Sequence, residues 1–557
     1  MQHRVTPIPE DIERRTFDVI VIGAGVNGTG IARDAAMRGL KVLLLDKGDL
    51  VSGTSSRSAR MIHGGLRYLE HREWGLVWEC LEERKTLIRI APHLVGPQPL
   101  VIPFYKTNKR RPWKVRLGLA ILDFMAMLSR SSVGRREVLS RQAVLQRIPG
   151  LTEHELTGAA VMIDAYAEHG ERLCIENVLS AAEHGATVVT YARTEDLIVE
   201  DGAVAGVRCL DTIEHCRFEV RGAVTVNAAG PWVDRVFDGD ETDQRLITGS
   251  KGSFLVVDSF PGAPTDSCFY ETIQQQRQAV VLPWNGFVLL GTTDIRYDDN
   301  PDDAVAGQDE IEYLLEETNR LFPKANLTKD SIRFTYAGVR PLPFQPKGAA
   351  GGEGSVTRKH IIHDHAPKVD RLFSILGGKF STFRSLVTEA VDRIYRKLGE
   401  EPAACRTHTE ALPGAATSDF NGFCDAFRNA SSLSPKSTER LLNIYGTRSG
   451  QVMKIASEGD DDLIEPFDEQ TGAIGAEIVM AFRHEFAQTL GDVLIRRTMV
   501  GYDSAFDAAT AVKAARIAKK YFDWNEQRTE QELNDYQQYV MQCHEPRTMS
   551  AQPVANN

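Results

Sequence analysis

The sequence predicts a mixed α/β protein that combines a parallel-sheet domain, an inserted antiparallel sheet and a helical C-terminal domain. Three observations predict this fold class. A buried strand, a glycine-rich turn, a helix and a second buried strand succeed one another over residues 17–45. Short segments in residues 250–345 alternate apolar and polar residues, as antiparallel strands do. After residue 399 most segments have the apolar spacing of amphipathic helices.

Composition excludes several classes of protein. The chain has 557 residues, 42% hydrophobic and 25% charged, which is typical of globular proteins and excludes wholesale disorder. The net charge of −11 argues against a general nucleic-acid binder. Eight scattered cysteines without a CxxC motif favour neither a disulfide scaffold nor a zinc finger, and we expect no metal site and a reducing compartment. The N-terminal segment lacks the apolar core of a secretory signal, and no segment approaches the ~20 apolar residues that cross a bilayer.

The first strand–turn–helix unit predicts a dinucleotide site. Residues 17–22 form a continuous apolar run that is rich in β-branched residues, which is typical of a strand buried on both faces. Gly23, Gly25 and Gly28 follow with GxGxxG spacing and open a helix whose N-terminus can bind a pyrophosphate. Asp46 closes the second strand, where a carboxylate accepts hydrogen bonds from ribose hydroxyls and repels a 2′-phosphate. The unit therefore favours FAD or NAD over NADP, and the alternative is a merely structural glycine turn.

Three further segments place small residues where a ligand can approach the backbone. Residues 63–68, HGGLRY, end a loop dense in glycine and serine. Residues 229–230 follow a buried strand, and residues 377–378 are two glycines after another buried strand. The latter precede a helix that Ser381 or Thr382 can cap. The alternative for each segment is an ordinary loop or turn.

A basic segment stands out in this acidic chain. Residues 106–136 contain nine Lys and Arg residues and one acidic residue, interleaved with tryptophan, leucine, phenylalanine and methionine. Such a segment suits an anionic bilayer surface. A buried helix with solvated basic flanks explains the pattern equally well, and nucleic acid is a poor third interpretation.

We divide the chain into four parts. The predicted parts are a discontinuous dinucleotide-binding domain (1–93, 160–250 and 360–399), a basic amphipathic segment with a possible membrane face (94–159), an antiparallel sheet that binds the substrate (251–359) and a helical C-terminal domain (400–557). In the last part the periodicity predicts one helix over residues 476–500 and two more near 508–522 and 527–541.

The motifs together are similar to those of one enzyme family. The strings that carry the resemblance are VIGAGVNGTGIARDAAMRGLKVLLLDKGD, SGTSSRSARMIHGGLRYLE, VNAAGPWVD, GTTD, YAGVRPL, GGKFSTFR and EIVMAFRHEFAQTLGDVLIRRT. Over residues 16–502 the chain resembles the FAD-dependent, quinone-linked glycerol-3-phosphate dehydrogenases, within the D-amino-acid oxidase-like flavoproteins. The resemblance implies a Rossmann-type FAD-binding domain with an inserted antiparallel-sheet substrate domain, a fold related to that of glutathione reductase. We also expect a homo-oligomer.

The resemblance implies site residues at the matching positions. Those implied to bind FAD are Gly23, Gly25, Asn27, Gly28, Asp46, Ser55, Ser56, His63, Gly64, Gly65, Leu66, Ala229, Gly230, Gly378, Lys379 and Thr382. Those implied to bind the substrate are Arg67, Tyr68, Arg340, Arg358 and Lys379. A phosphate ester carries nearly two negative charges, so its pocket needs two or more cations, and arginine is preferred because it binds oxygens bidentately. Arg340 taken alone could be a surface arginine, and the register around Arg358 is uncertain.

The candidate catalytic residues are Arg340, Lys379 and His63. Several members of the resembled family have a histidine after a Lys-Gly-Ser string, whereas this chain has Phe254 after Ser253. His63 is then the nearest candidate base in the motifs. A histidine that packs against the flavin without moving a proton is the alternative.

The activity implied is oxidation of sn-glycerol 3-phosphate to dihydroxyacetone phosphate, with hydride transfer to flavin N5 and electrons passed to a membrane quinone. The protein is then expected at the cytoplasmic face of the inner or plasma membrane, peripherally attached to anionic lipid. Two alternatives are an FAD-dependent oxidase or dehydrogenase of an amino acid or 2-hydroxy acid, and a non-catalytic flavoprotein that serves as an interaction module.

Overall fold

A computed structural model describes residues 4–64, 68–69, 73–131, 134, 136–236, 245–346, 359–502 and 508–544. The helices are α1 (Val26–Met37), α2 (Trp74–Ile90), α3 (Pro112–Leu128), α4 (Arg141–Arg147), α5 (Gly170–Glu183), α6 (Val233–Val236), α7 (Gln308–Leu321), α8 (Phe383–Leu398), α9 (Phe420–Ala430), α10 (Pro435–Tyr445), α11 (Ser449–Glu458), α12 (Gly475–His484), α13 (Ala508–Tyr521) and α14 (Glu526–His544). The strands are β1 (Thr16–Ile22), β2 (Val42–Leu45), β3 (Met61–Ile62), β4 (Gly96–Tyr105), β5 (Glu137–Ser140), β6 (Leu156–Tyr166), β7 (Thr187–Val189), β8 (Ala192–Glu200), β9 (Ala203–Asp211), β10 (Arg217–Asn227), β11 (Ile247–Val257), β12 (Ser267–Glu271), β13 (Gln278–Trp284), β14 (Phe287–Gly291), β15 (Ile295–Arg296), β16 (Ile332–Pro343), β17 (Ile361–Asp364), β18 (Leu372–Leu376), β19 (Pro466–Asp468) and β20 (Ala473–Ile474).

The first sheet has the order β17–β18–β10–β1–β2–β7, with the hairpin β8–β9 paired to β10. Its central pairs, from β18 through β10, β1 and β2 to β7, are parallel. β1 and β2 are almost entirely buried, which explains their continuous apolar sequence. α1 packs against both α5 and α8, and all three helices pack against this sheet. The predicted mixed α/β fold class, with its dinucleotide-type domain, is confirmed.

The second sheet has the order β15–β11–β14–β13–β12–β4–β6–β3, with β16 paired to β11 and β5 paired to β6. It is mainly antiparallel, as predicted for residues 250–345, and α7 packs against it. It also includes β3, β4, β5 and β6, whereas the sequence division placed residues 94–159 in a separate segment and 160–166 in the dinucleotide-binding domain. The long pairing of β4 with β6 supplies strand hydrogen bonds that no local pattern reveals, because β4 contains three prolines.

The C-terminal domain is helical, with one short hairpin, β19–β20. α13 and α14 confirm the two predicted helices near its end. The single helix predicted over residues 476–500 is wrong. α12 ends at His484, Phe486 has φ +60, and a six-residue π-helix, Asp492–Arg497, follows. The break places Glu485 and Asp492 where their side chains bind groups of other segments, as described below.

In the part of the chain that the structure describes, no helix combines the length and apolar character needed to cross a membrane.

Candidate active site

The carboxyl ends of four neighbouring strands meet at one edge of the first sheet. Ile22 of β1 lies opposite Asn227 of β10 and Leu45 of β2, and Asn227 lies opposite Ser374 of β18. The turns that follow these strands are therefore side by side, although they are far apart in sequence. Ligands of open α/β sheets bind at such an edge, where the order of the strands reverses.

A cavity of about 920 Å³ opens at this edge and is lined by residues of both sheets. Its volume lies at the upper end of the range for ligand pockets, roughly 300–1,000 Å³. The predicted site residues that line it are Gly23, Gly25, Asn27, Asp46, Ser55, His63, Tyr68, Ala229, Gly230, Arg340, Gly378 and Lys379. The predicted residues Gly65, Leu66, Arg67 and Arg358 lie outside the described residues.

The glycine turn holds the N-terminus of α1 against the cavity. Gly23 has φ +102, a left-handed conformation that favours glycine. A Cβ on Gly28 would lie 1.8 Å from the carbonyl oxygen of Gly23, so this predicted cofactor residue acts by close packing rather than by lining the cavity. The N–H of Val26, in the first turn of α1, donates to Ser55 Oγ at 3.0 Å. The free N–H groups of this helix end are the feature that binds a pyrophosphate.

Three other predicted cofactor residues lie behind the cavity wall. A Cβ on Gly64 would lie 2.0 Å from Cβ of Cys80, so Gly64 allows the strip after β3 to pack on α2. The carbonyl oxygen of Ser56 accepts a hydrogen bond from Arg60 Nη2 at 3.0 Å. Thr382 is buried and precedes the first residue of α8. None of these three residues is among those that line the cavity, and their contacts position its wall.

Asp46 is held in place from two sides. Its Oδ2 accepts from the N–H of Ala24 at 2.6 Å, and its Oδ1 accepts from the N–H of Gly48 at 2.9 Å. Burial raises the pKa of Asp46 to about 6, while these two backbone N–H groups act in the opposite direction. Each oxygen can accept a further hydrogen bond, which suits the predicted contact with ribose hydroxyls.

The strip after β3 is tied to the segment after β18. Ser381 Oγ donates to the carbonyl oxygen of His63 at 2.8 Å, and the N–H of His63 approaches the same Oγ at 3.2 Å. Lys379 Nζ lies 3.6 Å from the ring centroid of Tyr68. The His63 ring contacts Phe269 edge-on, with centroids 6.1 Å apart. The three predicted residues His63, Tyr68 and Lys379 are therefore brought to one side of the cavity.

Arg340 lies on β16 and reaches across β11. Its Nη1 lies 3.2 Å from both Asp294 Oδ1 and Ser250 Oγ, and its Nη2 donates to Thr292 Oγ1 at 3.1 Å. A Cβ on Gly252 would lie 2.1 Å from Arg340 Nη2, so a side chain at this position would displace the guanidinium from the place where it crosses the strand. The side chain of Arg340 is 23% exposed and lines the cavity.

Sequence reasoning missed a second guanidinium at this place. Arg277 also lines the cavity, and its Nη2 lies 3.6 Å from Asp294 Oδ2. Asp294 therefore lies between two arginines and orients both. The GTTD string contains Asp294, and that was the available signal, whereas Arg277 stands before β13 with no motif around it. The local charge of Arg340, Arg277, Lys379 and Asp294 together is positive, as an anionic substrate requires.

Another missed group closes the base of the cavity. Arg60 is 1% exposed, has φ +54 and forms a buried ion pair with Glu171 at the start of α5. Its guanidinium lies 4.3 Å from the ring centroid of Trp284 and donates to Tyr336 OH at 2.8 Å. Because α5 packs against the first sheet and Trp284 belongs to the second, Arg60 fixes the two sheets relative to each other.

Phe254 lines the cavity where the resembled family often has histidine. Its ring stacks on Tyr336 with centroids 5.1 Å apart and planes inclined by 28°. Phe254 is 2% exposed and has no group that can take up a proton.

Two family models match the chain. The model described as FAD dependent oxidoreductase matches residues 18–375, and the C-terminal domain of alpha-glycerophosphate oxidase matches residues 405–529. A glycerol-3-phosphate dehydrogenase of Synechocystis is 38% identical over 547 residues, covering 96% of this chain and 98% of the relative. The chain belongs to the family of FAD-dependent glycerol-3-phosphate dehydrogenases.

Other members show the range of this family and its fold. A D-erythritol 1-phosphate dehydrogenase of Brucella abortus is 34% identical, over 87% of this chain and 95% of the relative. The crystal structure of a glycerol-3-phosphate dehydrogenase from Bacillus halodurans complexed with FAD has a TM-score of 0.79 and 25% identity, covering 96% of this chain and 97% of that one.

The cavity of this family member fits its cofactor FAD. Asn27 Oδ1 is buried at the cavity wall, and within the described ranges it has no hydrogen-bond partner, so a donor of the cofactor can satisfy it. The N-terminus of α1 and Asp46 offer the groups that a pyrophosphate and a ribose require. Ala229, Gly230 and Gly378 line the same cavity with small or absent side chains, which allows a ligand to approach the backbone.

Proposed function

We propose that the protein oxidises sn-glycerol 3-phosphate to dihydroxyacetone phosphate with FAD as cofactor and passes the electrons to a membrane quinone. One observation carries the proposal: Arg340, Arg277 and Lys379 line the same cavity as the glycine turn and Asp46. A phosphorylated alcohol needs this pairing of a cationic end with a dinucleotide site. The names of the relatives from Synechocystis and Bacillus halodurans support the same substrate.

In this proposal the arginines bind the phosphate and orient the substrate. Arg340 presents two nitrogens of a fixed fork, and Asp294 and Thr292 hold that fork in position. Lys379 stabilises the negative charge that develops on the C2 hydroxyl as its proton leaves. When bound, FAD supplies the two-electron acceptor, and the proposal includes transfer of the C2 hydride to its N5 atom.

His63 is the proposed proton acceptor. Phe254 cannot serve, and His63 is the histidine that lines the cavity within the residues that the structure describes. The Ser381 side chain holds the backbone of His63 on both its N–H and its carbonyl oxygen, which fixes the start of its side chain.

Anaerobic mixing tests the proposed reaction. We expect glycerol 3-phosphate to bleach the flavin absorbance of the holoenzyme, and a soluble quinone analogue to restore it. Erythritol 1-phosphate, lactate and D-alanine are tested as alternative substrates, each in a separate mixing experiment. Glycerol is the control without phosphate. Bleaching by a carboxylate but not by either phosphate would favour an amino-acid or 2-hydroxy-acid enzyme. No bleaching by any of them would favour a non-catalytic flavoprotein.

A surface of α3 supports the second part of the proposal, attachment to an anionic membrane at the cytoplasmic face. Val115, Leu119, Leu122 and Ala126 bury one side of this helix. The opposite side carries large apolar side chains that are 54–62% exposed, namely Trp113, Leu117, Phe124, Met127 and Leu128. Exposed Lys114 and Arg116 lie among them. A fully buried helix with solvated flanks does not account for this second apolar side.

Three substitutions test membrane attachment. Changing Leu117, Phe124 and Met127 together to glutamine should weaken binding to anionic vesicles by at least about tenfold, since each buried apolar side chain contributes roughly 1.5 kcal/mol or more. The matched control changes Val199, Ile273 and Ile361, which are also exposed apolar residues, to glutamine. Vesicle co-sedimentation at two salt concentrations measures the effect. Binding that ignores lipid charge and salt, or that survives the α3 substitutions, would contradict the proposal.

A further inference from the structure

The string RHEFAQTLGDVLIRRT, residues 483–498, lies in the C-terminal domain. None of its residues has a role in the substrate chemistry proposed above. The last two of its three arginines, Arg496 and Arg497, lie at the end of the π-helix and are buried. Both pair with Asp49, which belongs to the loop of residues 46–51. This loop directly follows β2 and also carries Asp46, so the C-terminal domain contacts the loop at the adenosine end of the cofactor cavity.

The contact is a buried set of alternating charges. Arg497 binds Asp49 bidentately, with Nη1 to Oδ2 at 2.8 Å and Nη2 to Oδ1 at 2.7 Å. Arg496 donates through Nε to Asp49 Oδ2 and through Nη2 to Asp492 Oδ1 at 2.7 Å. Burial alone would raise the pKa of Asp49, but the charges of Arg497 and Arg496 lower it below its ordinary value. Two carboxylates thus balance two guanidiniums, away from solvent.

A second connection joins the same two segments through Tyr191. Its N–H donates to the carbonyl oxygen of Gly48 at 2.9 Å, and its hydroxyl donates to Asp492 Oδ1 at 2.7 Å. The neighbouring N–H of Ala192 donates to the carbonyl oxygen of Asp46 at 2.7 Å. The loop is therefore held at Asp46 and Gly48 by the backbone of Tyr191 and Ala192, and at Asp49 by the π-helix, whose Asp492 also accepts from the Tyr191 hydroxyl.

The conformation of the loop needs such support. Val51 has φ +63, and the left-handed region is unfavourable for a β-branched residue. Its N–H donates to the carbonyl oxygen of Ala24, the residue whose N–H binds Asp46. A strained conformation persists where surrounding contacts determine it, and here the hydrogen bond to Ala24 holds Val51 itself, while the ion pairs of Asp49 hold the loop two residues earlier.

A second buried ion set crosses the same interface without touching the loop. Glu485 lies between Arg172 of α5 and Arg448, with Arg172 Nη2 at 2.8 Å and Arg448 Nη1 at 2.7 Å from its Oε1. Glu485 and Asp49 are both buried carboxylates between two arginines, and each joins the C-terminal domain to the dinucleotide-binding domain. Only Asp49 belongs to the loop that carries Asp46, whereas Glu485 binds Arg172 of α5, which does not carry it.

We propose that the C-terminal domain is a structural part of the FAD site. Arg496 and Arg497 act as positioning residues through Asp49, and hold the loop of residues 46–51 in the conformation that presents Asp46 to the adenosine ribose. The inference goes beyond the proposed function, because it requires FAD binding but neither a particular substrate nor a particular electron acceptor.

Release of FAD from the purified full-length holoenzyme tests the proposal. After dilution, the rise of flavin fluorescence gives the dissociation rate. Asp49→Asn should release FAD at least about tenfold faster than the unchanged protein, the size expected when a buried charged hydrogen bond is lost. Glu485→Gln is the matched control, and its rate of FAD release should stay within about threefold of that of the unchanged protein. This should hold even if its melting temperature falls as far as that of Asp49→Asn.

A comparison of two flavins separates positioning from general destabilisation. FMN lacks the adenosine that the loop contacts, so Asp49→Asn should weaken binding of FAD to the full-length apoprotein and leave binding of FMN unchanged. Arg497→Lys keeps the charge and loses the bidentate fork. Its rate of FAD release should therefore lie between those of the unchanged protein and Asp49→Asn. This variant decides the matter if Asp49→Asn does not accumulate as folded protein.

Any of three results would overturn the proposal. One is release of FAD by Asp49→Asn and Arg497→Lys at the unchanged rate. Another is equal acceleration by Glu485→Gln, and the third is an equal loss of FMN and FAD affinity, since either of these would show that the ion pairs stabilise the domain interface alone.

Discussion

Arg340→Ala is expected to lower kcat/KM for glycerol 3-phosphate by roughly a thousandfold. The guanidinium offers charge-assisted hydrogen bonds to a phosphate, and losing two of them costs about 4 kcal/mol. The substitution also leaves Asp294 facing the substrate with one of its two arginine partners removed, which adds repulsion. Steady-state kinetics with flavin reoxidation by a quinone analogue measures the loss.

Two controls limit the interpretation of this result. Arg333→Ala removes an exposed arginine of the same strand, where it pairs with Asp258, and should leave kcat/KM nearly unchanged. Arg340→Lys keeps a charge but not the fork, and should give an intermediate loss. If Arg340→Ala retained kcat/KM within about fivefold, this residue would not bind the substrate, and the assignment of the phosphate to this end of the cavity would be wrong.

Gly28→Ala is expected to yield protein with less than about a tenth of the normal FAD content. The new Cβ would lie 1.8 Å from the carbonyl oxygen of Gly23, so the turn and the first turn of α1 must move apart before a methyl group fits. That movement displaces the N–H groups that bind the pyrophosphate, and misplacement of binding groups by about 1 Å costs on the order of a hundredfold. The absorbance ratio of flavin to protein after gel filtration gives the content.

Gly206→Ala is the matched control for the loss of FAD. Its Cβ would lie 2.2 Å from the carbonyl oxygen of Val220, a comparable clash in the same sheet but away from the cavity. It should lower the free energy of unfolding by about 1–3 kcal/mol and leave the FAD content of the folded fraction intact. Equal flavin loss in both variants would indicate instability of the sheet rather than a defect of the turn.

The sequence predicts best where the determinants are local. β1, the glycine turn, α1 and β2 agree with prediction to within a residue or two, because the apolar run, GxGxxG and Asp46 all lie within 30 residues of chain. α8 and its preceding glycines were likewise predictable from a buried strand followed by Gly377 and Gly378, but the predicted cap is wrong: Thr382 makes no capping hydrogen bond with its side chain, and the Ser381 hydroxyl donates to His63 instead.

The failures have causes that the apolar spacing does not show, and most of them are contacts between distant parts of the chain. The helix predicted over 476–500 breaks because Glu485 binds Arg172, more than 300 residues away, and because Asp492 accepts from the N–H groups of Gln488 and Thr489. Apolar spacing is the same on both sides of the break and does not register it. β4 was missed because its prolines oppose a strand assignment, which its pairing with the distant strands β6 and β12 makes favourable.

The candidate site divides in the same way. The sequence motifs named Arg340 and Lys379, and the structure places both at the cavity. Arg277 could not be found because its proximity to Arg340 depends on Asp294 and on the pairing of β11 with β16, which sets Ser250 opposite Arg340. The partners of Asp49 belong to a domain for which the motifs suggested no contact.

The scattered origin of the cavity wall bears on how the protein is made. The residues that line the cavity range from Ile22, beside the glycine turn, to Ser381. The arginines that contact the loop of residues 46–51 are Arg496 and Arg497. These two arginines are synthesised only after roughly nine-tenths of the 557-residue chain has been translated. Given the role proposed for them, we expect stable capture of the flavin to be a late event in folding. A chain that ends before residue 496 would keep the GxGxxG motif of a flavoprotein, and we expect it to purify without bound FAD.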